Sequence, residues 1–264
     1  MGMTEAFWER VDGTRFRATE YTRGPWDVGS QHAGPPAALL GRAVEDRPGA
    51  REDLRLARIT FEILRPVPIG AVEVDVRVVR AGRGTELVEA TLTAEGAAGP
   101  AMLARAARIR VAPASVPAVR PGPVEAGPAE SVEVPFFAVP WEVGYHTAME
   151  TRFARGSFTE PGPAACWMRP RVPLIAGEPL RALDRVLLAA DSGNGVGAVL
   201  DIDKHLFLNG DLTVHLHRHP VGPWVCVAAD TAVDPDGMGL VDIALHDEDG
   251  PIGRAGQTLF VTSR

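Results

Sequence analysis

Three stretches of this chain recur in the same order about 153 residues further on. ITFEILRPVPIG (59–70) stands beside LTVHLHRHPVG (212–222). Ile59 meets Leu212, Thr60 meets Thr213, Arg65 meets Arg218, and Gly70 meets Gly222 after one gap. GTELVEATLTAEG (84–96) resembles GMGLVDIALHDEDG (237–250), and ARAARIRV (104–111) resembles GRAGQTLFV (253–261). Collinear matches of this kind mean one supersecondary unit used twice. The chain is therefore expected to fold as two copies of one arrangement.

Each copy reads as a helix followed by strands. In the first, PPAALLGRAVED (35–46) opens on two prolines, residues favoured in a helix's first turn. In the second, PLRALDRVLLAADS (179–192) places Leu180, Leu183, Leu187 and Ala190 at helical spacing. VEVDVRVVR (72–80) alternates valine with polar residues, as a half-buried antiparallel strand does. GTELVEATLTA and MLARAARIRV follow it. WVCVAADTAV, GLVDIALHD and GRAGQTLFVT are their partners in the second copy. Asp249-Gly250 lies between two of these runs and predicts a hairpin turn. Between the copies, 112–133 is rich in Pro, Ala and Gly without period and reads as a linker. The expected units are therefore 1–111 and 134–264.

Composition narrows the function. The net charge is −7 at pH 7 and Lys204 is the single lysine, which argues against nucleic-acid binding through a general basic field. No apolar run approaches the 18 or so residues of a membrane span, and the N-terminus shows no signal-peptide core, so a cytoplasmic protein is expected. Cys166 and Cys226 make neither a disulfide framework nor a zinc knuckle. No phosphate-binding or dinucleotide fingerprint is present; Gly82-Arg83-Gly84 and Gly193-Asn194-Gly195 read as turns.

WDVGSQHAGPPAALLGRAVE (26–45), RITFEILRPVPIG, AADSGNGV, NGDLTVHLHRHPVGPWV and GRAGQTLFV, in that order, resemble the double-hotdog acyl-CoA thioesterases, the acyl-CoA thioesterase II or TesB-like group. The resemblance spans nearly the whole chain. It implies an α+β double hotdog: two tandem repeats, each an antiparallel β-sheet wrapped around a central α-helix. It also implies hydrolysis of acyl-CoA or related acyl thioesters, with no metal and no cofactor, in a homo-oligomer. The family's water-activating acid, hydroxyl or amide, and glutamine fall on Asp191, Asn209 and Gln257. Asn209 stands where better-studied members carry a hydroxyl residue, and an amide relays a proton less readily.

Read by themselves, these residues have quieter meanings. Asp191 caps or turns the chain at DSGNG. Asn209 precedes Gly210 in a turn, and Gln257 bonds into a sheet. Asp191 as general base or as nucleophile both remain open. His32 and Gly34, at the start of the first helix, are the candidate substrate-binding residues. A helix N-terminus offers free N–H groups, and Gly34 would let a ligand come close to the backbone. Pro35 and Pro36 have no N–H to give. Arg42, Arg58 and Arg65 are candidates for coenzyme A phosphates.

Two rival readings stand beside hydrolysis. Hotdog enoyl-acyl hydratases and dehydratases need an aspartate with a histidine a few residues on, and no histidine follows Asp191 before His205. A non-catalytic acyl-ligand binder is the other. His215, His217 and His219 share a strand parity and look like metal ligands. Their first-copy counterparts include Glu62 and Leu64, so the strand exists without them. Leu212, Val214 and Leu216 should face the core and the histidines should face outward. Asn209 shares the histidines' parity, so it reaches the site only if the strand bulges, with Gly210 the natural place.

Overall fold

The computed structural model describes residues 5–112, 117–119, 125–134, 136 and 139–264, so the expected linker lies partly outside them. The strands are β1 (Trp8–Arg10), β2 (Arg15–Ala18), β3 (Leu54–Ile63), β4 (Ala71–Ala81), β5 (Thr85–Ala94), β6 (Met102–Arg110), β7 (Met149–Arg155), β8 (Ala164–Pro170), β9 (His205–Asn209), β10 (Asp211–Leu216), β11 (Val225–Val233), β12 (Met238–Asp247) and β13 (Gly250–Ser263). The helices are α1 (Gly34–Asp46), α2 (Tyr145–Ala148), α3 (Ala182–Ala190) and α4 (Gly193–Val196).

Among the described residues the strands form one 13-stranded sheet, in the order β1-β2-β4-β5-β6-β3-β10-β13-β12-β11-β8-β7, with β9 pairing β13. Neighbouring strands are antiparallel, so the chain is of the expected α+β class. The centre of the order is the β3–β10 pair, where Thr60 lies opposite Thr213 and the Thr213 hydroxyl bonds the Thr60 hydroxyl at 3.2 Å. Leu212, Val214, Ile59 and Phe61 are buried on one face of this pair. His215 is exposed on the other face beside Arg58, and His217 is also exposed. His219 lies beyond β10, and its Nε2 is 2.9 Å from the Leu56 carbonyl oxygen.

Helices α1 and α3 pack on each other against the sheet. Helix α1 carries Gly-Pro-Pro in its first turn and buries Ala37, Ala38, Leu39, Leu40 and Val44. Gly41 sits at the crossing, where a Cβ would strike Leu187 of α3. Arg42 is buried at the same contact and is neutralised by Asp184 of α3 and by Glu178, 2.9 Å away. This pairing commits Arg42 to the fold and removes it from the residues available to a phosphate. A second buried cluster fastens the other end of α1. Glu86 of β5 pairs with Arg47, which follows α1, and with Arg108 of β6 at 3.0 Å; all three side chains are about 5% exposed or less. Arg47 also donates to the Val44 carbonyl at 2.8 Å, closing the helix's C-terminal turn.

Two sequence expectations shift. The second helix is shorter than 179–192: it starts at Ala182, because Asp184 Oδ2 takes the Arg181 N–H at 2.7 Å as an N-terminal cap, and it ends before Asp191. Leu180 therefore lies outside it. The last hairpin turns on Glu248-Asp249, since Asp247 already pairs with Gly250. Gly250, with φ +114°, opens the returning strand. Among the described residues, no helix is long and apolar enough to cross a membrane.

Candidate active site

Asp191 stands at the end of α3, whose Leu183, Val186, Leu187 and Leu188 are buried and anchor the helix. The aspartate itself is 4% exposed. Its Oδ1 accepts from Asn209 Nδ2 at 2.9 Å and from Gln257 Nε2 at 3.2 Å. Gln257 also donates to the Asp191 carbonyl at 3.2 Å, and its own Oε1 accepts the Asn194 N–H at 3.0 Å. The glutamine amide is thus held at both ends, and its orientation follows from which end can donate. Hydrogen bonds of this kind to a carboxylate are charge-assisted and hold it in one rotamer. The structure brings Asp191, Asn209 and Gln257 together.

Asn209 arrives by the irregularity its parity requires. It lies opposite Leu259, whereas Thr213 lies opposite Gly256, so four steps along one strand match three along the other. The extra residue falls at Gly210-Asp211, between β9 and β10. A bulge flips the side-chain alternation. Phe207 and Asn209 therefore share the inward side with Leu212 and Val214, while Leu208 is exposed. Asp211 also accepts the Thr258 N–H at 2.7 Å, satisfying a donor where the ladder slips.

His32 comes to the same carboxylate from the other half of the chain. Its Nδ1 is 3.1 Å from Asp191 Oδ2, and the His32 and Asp191 side chains are 12% and 5% exposed. The same Nδ1 accepts the Gly34 N–H at 3.1 Å. Burial pulls the imidazole below its ordinary value of 6.5, and the nearby Asp191 charge opposes that shift. The ring stacks on Tyr145 with centroids 3.8 Å apart and planes 2° from parallel. The Tyr145 hydroxyl donates to the Leu188 carbonyl at 2.7 Å and lies 2.9 Å from the Ser192 hydroxyl. Burial raises the phenol well above its usual range, so it stays a neutral donor.

Gly34 is buried, and its lack of a side chain answers to packing. A Cβ there would lie 2.6 Å from the Leu188 carbonyl oxygen, so the residue lets α1 start against α3. Tyr145, Ser192 and the Asn194 amide were missed by sequence reasoning. Tyr145 is 113 positions from His32 and belongs to no recognised motif, so no spacing signals the contact. Ser192 and Asn194 follow Asp191 in DSGNG, and a turn there already hints at amides gathered near the acid.

The family model for the acyl-CoA thioesterase N-terminal domain matches residues 22–130, and that for the acyl-CoA thioesterase C-terminal domain matches residues 125–261. Among solved structures, the chain is similar to a candidate thioesterase II of Thermobifida fusca, at 20% identity over 99% of this chain and 100% of that one, with a TM-score of 0.75. A hotdog-fold protein of unknown function from Alicyclobacillus acidocaldarius matches at 17% identity, covering 98% and 97%, with a TM-score of 0.71. An acyl-CoA thioesterase II of Mycobacterium marinum matches at 12% identity, covering 97% and 95%, with a TM-score of 0.66. At these identities the likeness shows the hotdog fold. No curated protein matches the chain.

Proposed function

Because this chain belongs to the acyl-CoA thioesterase family and is a thioester hydrolase, we propose that Asp191, held by Asn209 and Gln257, is the base that activates water against an acyl-CoA thioester. One observation carries the reading: two side-chain amides converge on Oδ1 of a buried carboxylate, fixing its rotamer. Each carboxylate oxygen has two acceptor sites, so Oδ2 keeps acceptor capacity for a water beside His32. A base so placed contributes about 10²- to 10⁴-fold. His32 and Gly34 form the side of the site on which the thioester is expected to rest. The Gly34 N–H is the donor there, since the next two residues are prolines; a thioester oxygen would compete with His32 Nδ1 for it.

The division into two copies, 1–111 and 134–264 joined by 112–133, is part of this reading. Its support is the separation of the facing pair Thr60 and Thr213, the same 153 positions by which the sequence recurs. Since β3–β10 and α1–α3 join the halves, cutting the chain within 112–133 should leave two fragments associated and folded. Unfolding on cleavage would contradict it.

A specific contact also favours a second reading. Hydratases of this fold need an Asp–His pair, and His32 supplies in space the histidine that is absent in sequence after Asp191. A thiol-release assay over a panel of saturated and enoyl acyl-CoAs decides between them. Hydrolysis predicts free thiol from the saturated members. Loss of enoyl absorbance without thiol supports hydration, and no reaction with any member supports a non-catalytic binder.

A further inference from the structure

The hydrolase reading leaves His32 without a chemical role, yet two partners compete for its Nδ1. Gly34 donates an N–H to that nitrogen, and Asp191 Oδ2 stands 3.1 Å from it. A nitrogen that accepts from Gly34 carries a lone pair, which places the neutral ring's own proton on Nε2. A lone pair against a bare carboxylate oxygen is unfavourable. A proton on Oδ2 turns the same contact into an O–H···N hydrogen bond. The contact therefore becomes favourable once Asp191 has taken a proton, which is what a general base does when it draws one from water.

We propose that His32 relays that proton to the departing sulfur. As the water oxygen bonds to the carbonyl carbon, its proton passes to Asp191 Oδ2 and the carbonyl electron pair moves onto oxygen. When the tetrahedral species collapses, the C–S bond breaks and its pair goes to sulfur. Sulfur takes the proton from His32 Nε2 while His32 Nδ1 takes the one on Oδ2. The products are the free acid and the thiol. Asp191 is again a carboxylate, and the ring returns to its first tautomer by exchange with solvent. The relay rests on the hydrolase reading.

The surroundings suit a relay. Stacking on Tyr145 fixes the ring plane, and the tyrosine is itself tied to the end of α3 through the Leu188 carbonyl and Ser192. Nδ1 and Oδ2 are thus held by one rigid assembly although their residues come from opposite halves of the chain. Asp191 is the charged group facing the ring; Tyr145 is neutral, and Gly34 presents an amide.

The test compares two thioesters of one acyl chain, a coenzyme A ester and a thiophenyl ester. An aryl thiolate leaves without a proton, whereas an alkyl thiolate benefits from one. His32→Phe keeps a flat ring for Tyr145 and removes both nitrogens. It should lower kcat on the acyl-CoA by about 10²- to 10⁴-fold, and lower it on the aryl ester by at least about tenfold less. His32→Gln, which can still meet the Gly34 N–H, should show the same split if the phenylalanine variant does not fold. Circular dichroism establishes which variants are folded. Equal losses on the two esters, or no loss on acyl-CoA, would overturn the relay while leaving hydrolysis intact. A parent protein that releases thiol from neither ester would overturn the hydrolase reading and the relay with it.

Discussion

Asp191→Asn is expected to cut thiol release from acyl-CoA by about 10²- to 10⁴-fold, roughly 3–5 kcal/mol of transition-state stabilisation. Asparagine keeps the shape of the side chain. Its oxygen can still accept from Asn209 and Gln257, and its new N–H₂ can donate to His32 Nδ1. The hydrogen-bond pattern survives and the thermal midpoint should change little. The basic oxygen is lost, so the fall in rate reports chemistry rather than folding. If Asp191 were only the end of a helix, the same substitution would leave turnover unchanged. Rates with a thiol-reactive dye, set beside melting curves, separate the two cases.

Glu86→Ala should have the largest effect on stability, a loss of about 3–5 kcal/mol. Glu86 is the shared carboxylate of Arg47 and Arg108, and removing it leaves two guanidinium groups buried with carbonyl oxygens alone. Arg47 also closes the end of α1, so the damage should spread to the helix that carries Gly34 at its other end. Urea unfolding measures the loss. A change below about 1 kcal/mol, the range of exposed pairs, would mean the cluster is effectively solvated.

Much of this arrangement could be read from the residues. The recurrence at 59–70 and 212–222 located the two strands that pair at the sheet's centre. The Pro-Pro start placed α1 to within one residue, because proline is pre-shaped for a first turn. The parity of Asn209 required a bulge near Gly210, and the register slips there. What escaped has a physical reason. Strands β1, β2, β7, β8 and β9 carry weaker signals: β1 has three residues, β2 (RFRA) alternates but over only four, and β8 (AACWMRP) is buried almost throughout and so shows no alternation. Leu180 fits the helical period but lies before the cap that Asp184 imposes. The contact of His32 with Asp191 spans 159 positions and depends on how α1 crosses α3, which local pattern does not encode. No histidine follows the acid closely in sequence, and the one that meets it comes from the other half of the chain.

Single-turnover hydrolysis of an acyl-CoA in ¹⁸O-labelled water tests most directly whether Asp191 acts on water. General-base catalysis predicts one solvent oxygen in the free acid from the first turnover and none in Asp191 when the protein is analysed by peptide mass spectrometry. Label in the Asp191 carboxyl with an unlabelled first acid would show that the aspartate attacks the thioester itself, and would contradict the proposed role.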